Sequence, residues 1–374
     1  MVASGVLFDR LFDIARQVDP VGDLTVWRAR HEAVTAGETS SIGRAILGAA
    51  AMDRLGYVFA SGYRSAMEAL LPGGPLAVMA ATETGGAHPR AIATKLENGR
   101  VTGTKEWCTL GPLADDILVI AKIGEKDGRP LLCAARVHGR AKGVTMTALP
   151  ALPFVPEIPH ARLTLDSAEA EVLPGDGYDH YLKPFRTIED IHVHAAVVAH
   201  VVSLAIRGEA PRALIERGLA LLASSIELAR LDPSPATTHL TLGGVLEASR
   251  ELAAQVPGDE RWRRDLPILE VAGKRAKRGS RPQVSLSGMV LAGGGGGGSG
   301  GRSSGNGIAG ADAQGGAPGQ GGGPVTEVVC ALYPDIVSGE GGDVLASADV
   351  RDDRTQLMLT TRSRPSDDPD RGAG

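Results

Sequence analysis

Aromatic side chains make up only 3% of the 374 residues, and Tyr333 is the sole one from Gly279 to the end. Of the 50 glycines, 19 fall between Gly279 and Pro324. A stretch so poor in aromatics and rich in glycine cannot bury enough apolar surface to offset its conformational entropy. Residues 279–374 therefore read as a low-complexity, disordered tail, with strand-like pieces only at 326–332 and 355–361. Cysteine is also rare. Cys108, Cys133 and Cys330 form no CxxC pair and are odd in number, which argues against a disulfide framework or a zinc site and fits a reducing cytoplasm. No apolar run approaches the roughly 18 residues of a membrane span. Asp9, Arg10, Asp13 and Arg16 argue against a secretion signal at the start. With a net charge of −5, the chain has no general attraction for nucleic acid or anionic membranes. Its one basic run, Lys274 to Arg278, reads as a helix end whose cations suit the negative end of the helix dipole.

What remains is organised in three blocks. Phe8, Leu11, Phe12 and Ile14 have helical spacing, and Ser40 or Ser41 can cap a second helix through Met52. A third helix runs from Tyr57 to Leu71 and stops at Pro72-Gly73-Gly74, so residues 1–75 form an N-terminal helical unit. Alternation takes over in 76–172. Ile92, Thr94 and Leu96 lead to Asn98-Gly99, a dipeptide that tolerates the positive φ angles of a hairpin turn, and the return strand runs from Val101 to Trp107. Further strands are expected at 116–123, 131–137, 144–149 and 161–165, making a central antiparallel β-barrel or sandwich. Between 185 and 278 four helices are expected. The first is capped by Thr187, the others cover 211–231, 236–255 and 262–277, and Pro267 bends the last. The fold class is α+β.

Two segments flank the predicted hairpin with more specific patterns. Thr82-Glu83-Thr84-Gly85-Gly86-Ala87-His88 resembles the T-E-P-G-A-G-S loop of the acyl-CoA dehydrogenase family, and Val101-Thr102-Gly103-Thr104-Lys105-Glu106-Trp107-Cys108-Thr109 resembles its I-N-G-x-K-x-W-I-T strand. The resemblance covers about residues 5–278. It implies FAD as cofactor, an acyl-CoA-type substrate oxidised between its α- and β-carbons, and a homo-oligomer. It also implies that Thr82, Gly85, Gly86, Ala87, His88, Trp107, Cys108 and Thr109 line the flavin site. The residue types suit that chemistry. An indole is a flat apolar wall for stacking, threonine hydroxyls can tune flavin nitrogens, and glycines admit a close backbone approach. The same tryptophan could equally fill a barrel core, and the glycines could make a plain turn. Cys108 stands where the family has an aliphatic residue and reads as a small packing group.

The chain also departs from the pattern. His88 replaces a small hydroxyl residue and Pro89 an acidic one, and proline offers no N–H. The family's tyrosine-glutamate-glycine-threonine stretch, which holds its catalytic base, has no counterpart before residue 278, so no base can be named from sequence. Ser338-Gly339-Glu340-Gly341 is a chance echo. Two alternatives to the dehydrogenase stay open: a non-catalytic binding or assembly module on this fold, and a flavin-dependent monooxygenase, which needs no such base. His192 and His194, two apart on a predicted helix, diverge by about 200° and cannot share a metal.

Overall fold

The computed structural model describes residues 4–269 together with 344–349 and 356–361. Four helices come first: α1 (Ser4–Ala15), α2 (Leu24–Thr35), α3 (Ser41–Ala50) and α4 (Leu55–Leu70). Ser40 caps α3 by accepting from the Gly43 amide at 3.1 Å. Helix α2 is an addition to the sequence reading. Its buried residues, Trp27, His31 and Thr35, recur only every fourth position, too narrow a stripe to register as amphipathic. Asp23 caps it through the amides of Thr25 and Val26, and Trp27 Nε1 donates to Ser61 Oγ on α4 at 3.0 Å.

The sheet follows: β1 (Ala77–Ala80), β2 (Lys95–Glu97), β3 (Arg100–Thr109), β4 (Asp116–Lys126), β5 (Arg129–His138), β6 (Val144–Ala148), β7 (His160–Glu169) and β8 (Glu171–Val172). The strands lie in the order β6-β7-β3-β2-β4-β5-β8, with β1 added beside β4. Asn98 and Gly99, at φ 50° and 73°, turn the β2–β3 hairpin. The expected all-antiparallel sheet is corrected here: β1 and β2 both pair parallel with β4, giving a curled mixed sheet. Alternation in a sequence sets which face a residue takes, but not which strand lies alongside. Parallel neighbours need a crossover, and the path from Ala81 to Thr94 and the intervening β2–β3 hairpin supply it.

One ion pair ties that crossover to the sheet. Lys105 on β3 is fully buried, and its Nζ lies 2.6 Å from Glu83 Oε1 and 2.6 Å from the Ile120 carbonyl. The Glu83 carboxylate also accepts from the Ala93 and Thr94 amides at 2.8 and 3.1 Å. Burial pulls the Lys105 pKa down to about 8 against the pull of Glu83. Burial works to raise Glu83, but Lys105 and the two amides outweigh it and hold the carboxyl below its ordinary value.

The second helical block consists of α5 (Lys183–Ile206), α6 (Ala213–Leu228), α7 (Ala236–Ala253) and the short α8 (Glu260–Asp265). Helix α5 begins four residues before the expected cap at Thr187. A π turn over Tyr178–Leu182 feeds directly into it, and Pro184 sits in its first turn, where a missing N–H costs nothing. The stretch Tyr178–Ile206 is long and apolar enough to cross a membrane, yet 89% of its apolar window is buried in the fold, as befits a core helix. Helices α3, α4, α6 and α7 all pack on α5. A Cβ on Gly62 of α4 would lie 2.8 Å from Val193 Cα of α5, so only glycine fits there. The last part of the fourth expected helix, 270–277, lies outside the described residues, as does most of the expected disordered tail. Within that tail β9 (Val344–Asp349) and β10 (Gln356–Thr361) pair antiparallel, and β10 falls on the strand-like piece read at 355–361.

Five histidines are buried: His31, His160, His192, His194 and His200. Burial lowers the pKa of each from 6.5, to about 4 for His160 and His192 and about 3 for the other three. The unfolded chain binds these protons below pH 6.5 while the folded chain refuses them. The stability they carry is therefore intact above pH 6.5 and lost as pH falls toward 4. At pH 5 the loss is about 2 kcal/mol per histidine, and five together rival a typical total stability of about 5–15 kcal/mol. Circular dichroism should therefore show a cooperative acid transition between about pH 6 and 4. His194→Leu should move its midpoint downward, since neither ring nitrogen of His194 has a partner to lose. Denaturant unfolding should show Lys105→Met or Glu83→Leu costing about 3–5 kcal/mol alone. The double replacement should recover only part, because the Ala93 and Thr94 amides stay orphaned.

Candidate active-site cleft

The loop after β1 is built as a short clamp. Glu83 and Gly86 exchange both backbone hydrogen bonds, at 3.0 and 2.7 Å, with Thr84 and Gly85 at the tip. Gly86 takes φ 100°, a conformation that favours glycine. The Thr82 carbonyl accepts from the Glu106 amide at 2.8 Å, which joins the loop to β3. Residue 88 ends the clamp: exposed His88 accepts the Arg90 amide on Nδ1 at 3.3 Å and starts the short helical turn Pro89–Ala91.

Strand β3 carries the other half. Lys105 and Cys108 both point into the sheet's buried side, which strict alternation forbids for residues three apart. An irregularity in the β3–β7 register between Lys105 and Cys108 shifts the phase by one. It thereby turns Trp107 and Thr109 outward into a cleft. Thr82 and Ala87 from the clamp line the same cleft, as do Leu182, Phe185, Arg186 and Glu189 from the π turn and α5. Tyr63 of α4 lines it as well. Arg186 Nη2 reaches the Ala87 carbonyl at 3.4 Å.

The eight residues singled out from sequence thus separate. Thr82, Ala87, Trp107 and Thr109 converge on the cleft. Gly85, Gly86 and His88 shape the adjoining turn without lining it. Cys108 is buried on the opposite side of β3, and burial pushes its thiol up to about 12, so it stays protonated and unreactive. The indole of Trp107 stacks on His160 with centroids 4.5 Å apart and 32° between planes. His160 itself does not line the cleft. The Trp107 Nε1 is buried without a hydrogen-bond partner.

Seven lining residues, Tyr63, Met79, Ala81, Leu182, Phe185, Arg186 and Glu189, were not read from sequence. The last three share one helical face with Leu182, at positions i+3, i+4 and i+7. That face points at the cleft only because the π turn sets the phase of α5. A carboxylate, a guanidinium, two hydroxyls and an indole edge then surround about 80 Å³. This suits one edge and one wall of a flat heteroaromatic ring such as a flavin. It falls well short of the roughly 300 Å³ at which a small-molecule pocket encloses its ligand. A larger cavity of about 600 Å³ lies among Asp53, His200 and Trp262, and it contains none of the motif residues. Among the described residues no group of three or more His, Cys, Asp or Glu side chains could hold a metal ion.

No protein-family model matches the chain, and none of the curated proteins matches it. Solved structures do. Butyryl-CoA dehydrogenase from Megasphaera elsdenii superposes with a TM-score of 0.53 at 12% identity, over 75% of this chain and 97% of that one. Glutaryl-CoA dehydrogenase from Mycobacterium smegmatis gives 0.53 at 13% identity, over 75% and 93%. The prolyl acyl carrier protein oxidase AnaB gives 0.51 at 14% identity, over 75% and 94%. Nearly the whole of each structure is thus matched by three-quarters of this chain, at identities low enough that the likeness is one of architecture. The chain has the acyl-CoA dehydrogenase fold.

Proposed function

We propose that the chain is a flavin-binding oxidoreductase of the acyl-CoA dehydrogenase kind, acting between the α- and β-carbons of an acyl thioester. The observation that carries this reading is the convergence of Trp107, Thr82, Thr109 and the carboxylate-bearing Glu189 on one cleft. The neighbours in fold support it: they include acyl-CoA dehydrogenases, an acyl carrier protein oxidase, and PigA with FAD and proline. FAD, when bound, supplies the two-electron acceptor for the hydride leaving the β-carbon. The chain supplies the rest. Trp107 is the planar wall, and the Thr82 and Thr109 hydroxyls donate to the ring edge. Gly85 and Gly86 shape the turn that brings Ala87 to the ring, and His88 lies beyond it. Glu189, the one carboxylate among the described lining residues, accepts the α-proton on its side-chain oxygen, the role for which the sequence had offered no candidate. Since the cleft encloses only about 80 Å³, most of the ring must be covered by another body, which in this reading is a second copy of the chain.

Purified protein should bind added FAD and show the visible absorption bands of an oxidised flavin. Trp107→Ala should weaken that binding by about 3- to 10-fold, the loss of one aromatic stacking contact of about 0.5–1.5 kcal/mol. A protein that stays colourless and takes up no FAD would sink the proposal in favour of a non-catalytic module. Glu189→Gln should leave the flavin content unchanged while slowing anaerobic flavin reduction by an acyl thioester by about 10²–10⁴-fold. Rapid oxygen consumption by the reduced protein, with no reduction by any thioester, would point to the monooxygenase instead.

A further inference from the structure

We infer that His160 is a positioning residue whose imidazole sets the tilt of the Trp107 indole, the wall against which the flavin stacks; this rests on the flavin reading above. Strand β7 meets β3 unevenly at this point. Lys105 pairs with Leu163 and Cys108 with Ala161, so Glu106 and Trp107 together oppose the single residue Arg162. Such a bulge disrupts the ladder locally, and its side chains are aimed by what packs beside them. Glu106 is aimed by charge: Arg162 Nε donates to Glu106 Oε2 at 2.7 Å. Trp107 has no comparable bond. Its Nε1 is buried without a partner, and its ring contact among the described residues is the stack on His160, with centroids 4.5 Å apart.

His160 has a fixed base from which to do this. It pairs with Thr109, two residues beyond Trp107 on the same face of β3, and such diagonal neighbours are within reach of aromatic rings. Its backbone is anchored on both sides. The Pro159 carbonyl accepts the Leu110 amide at 2.9 Å, and the His160 carbonyl accepts the Leu149 amide at 2.9 Å. The side chain is buried, and neither ring nitrogen has a hydrogen-bond partner. Two desolvated, unpaired nitrogens carry a cost that a leucine in the same place would not. Burial pulls the pKa down to about 4, so near neutral pH the ring is uncharged and meets the indole as a flat surface rather than as a cation. What this imidazole offers Trp107, and a leucine cannot, is a plane.

FAD affinity of the full chain is measured by titration, alongside denaturant unfolding of the same proteins without FAD at neutral pH. His160→Leu removes the two orphaned nitrogens, so its unfolding midpoint should stay or rise. Its FAD affinity should nevertheless fall about threefold or more, up to the loss caused by Trp107→Ala. A residue with a merely structural role would move stability and binding in the same direction. His160→Phe, which keeps a flat ring, should bind FAD as the wild type does. In a Trp107→Ala background His160→Leu should change FAD affinity by less than about 1.5-fold, because the side chain it acts through is gone. Wild-type affinity in His160→Leu overturns the inference, and so does a loss of stability together with affinity. A full further loss in the Trp107→Ala background, or a His160→Phe variant as weak as His160→Leu, overturns it too. Each of these results requires FAD to bind and so leaves the proposed function standing. Wild-type protein that takes up no FAD overturns both.

Discussion

The Lys105 ammonium sits buried under the curled sheet, and among the described residues the Glu83 carboxylate is the charge paired with it. Everything in the cleft depends on that pair. A buried lysine without a partner would lose its proton or pull the strand apart. With Glu83 in place, the ammonium fastens the loop after β1 to β3, and the two Glu83-bound amides fasten Ala93 and Thr94 to the same point. The loop's threonine, Thr82, and the strand's tryptophan and threonine, Trp107 and Thr109, are thereby held on one rim. The charged pair is a structural element. Its chemistry is spent on position, and the groups left to act on a ligand are those around it.

The helical layer imposes a second constraint. Helix α5 is the hub on which α3, α4, α6 and α7 pack, and its first turns form one side of the cleft. At Gly62 and Val193 the α4 and α5 backbones pack too closely for any side chain larger than hydrogen. The helix that brings Arg186 and Glu189 to the cleft is thus also the one most tightly packed into the helical layer. A single 24-residue helix thus lends its first turns to the cleft and buries its later turns among other helices.

Buried neutral histidines are the fold's weakness. His31, His194 and His200 each keep at least one ring nitrogen without a partner in an apolar setting, a standing cost that acid makes much larger. The stability of the helical layer and the protonation of its histidines are therefore linked. The cleft, which uses Trp107 against His160, shares in that link.

Most of the local structure was legible in the sequence, because local structure follows from local periodicity. Spacing located strands β4 to β7 and helices α3 and α4, Ser40 and Asn98-Gly99 marked a cap and a turn, and the Gly-Thr-Lys-x-Trp-x-Thr run identified β3 and one wall of the cleft. Helix α2 escaped because its buried stripe is one residue wide, and the start of α5 escaped because a π turn replaces an ordinary cap. What the tertiary structure alone decided were partners and phase. Two strands run parallel to β4 through a crossover that no alternation pattern encodes. A single slip in the β3–β7 register sends Cys108 inward and Trp107 and Thr109 outward, separating residues that the motif presents as one block. Glu189 and Phe185, about eighty positions from that motif, join it because the phase of a long helix is set by what its far turns pack against. Hydrophobic patterning determines which residues must leave water; only the assembled packing determines which of the remaining residues then face one another.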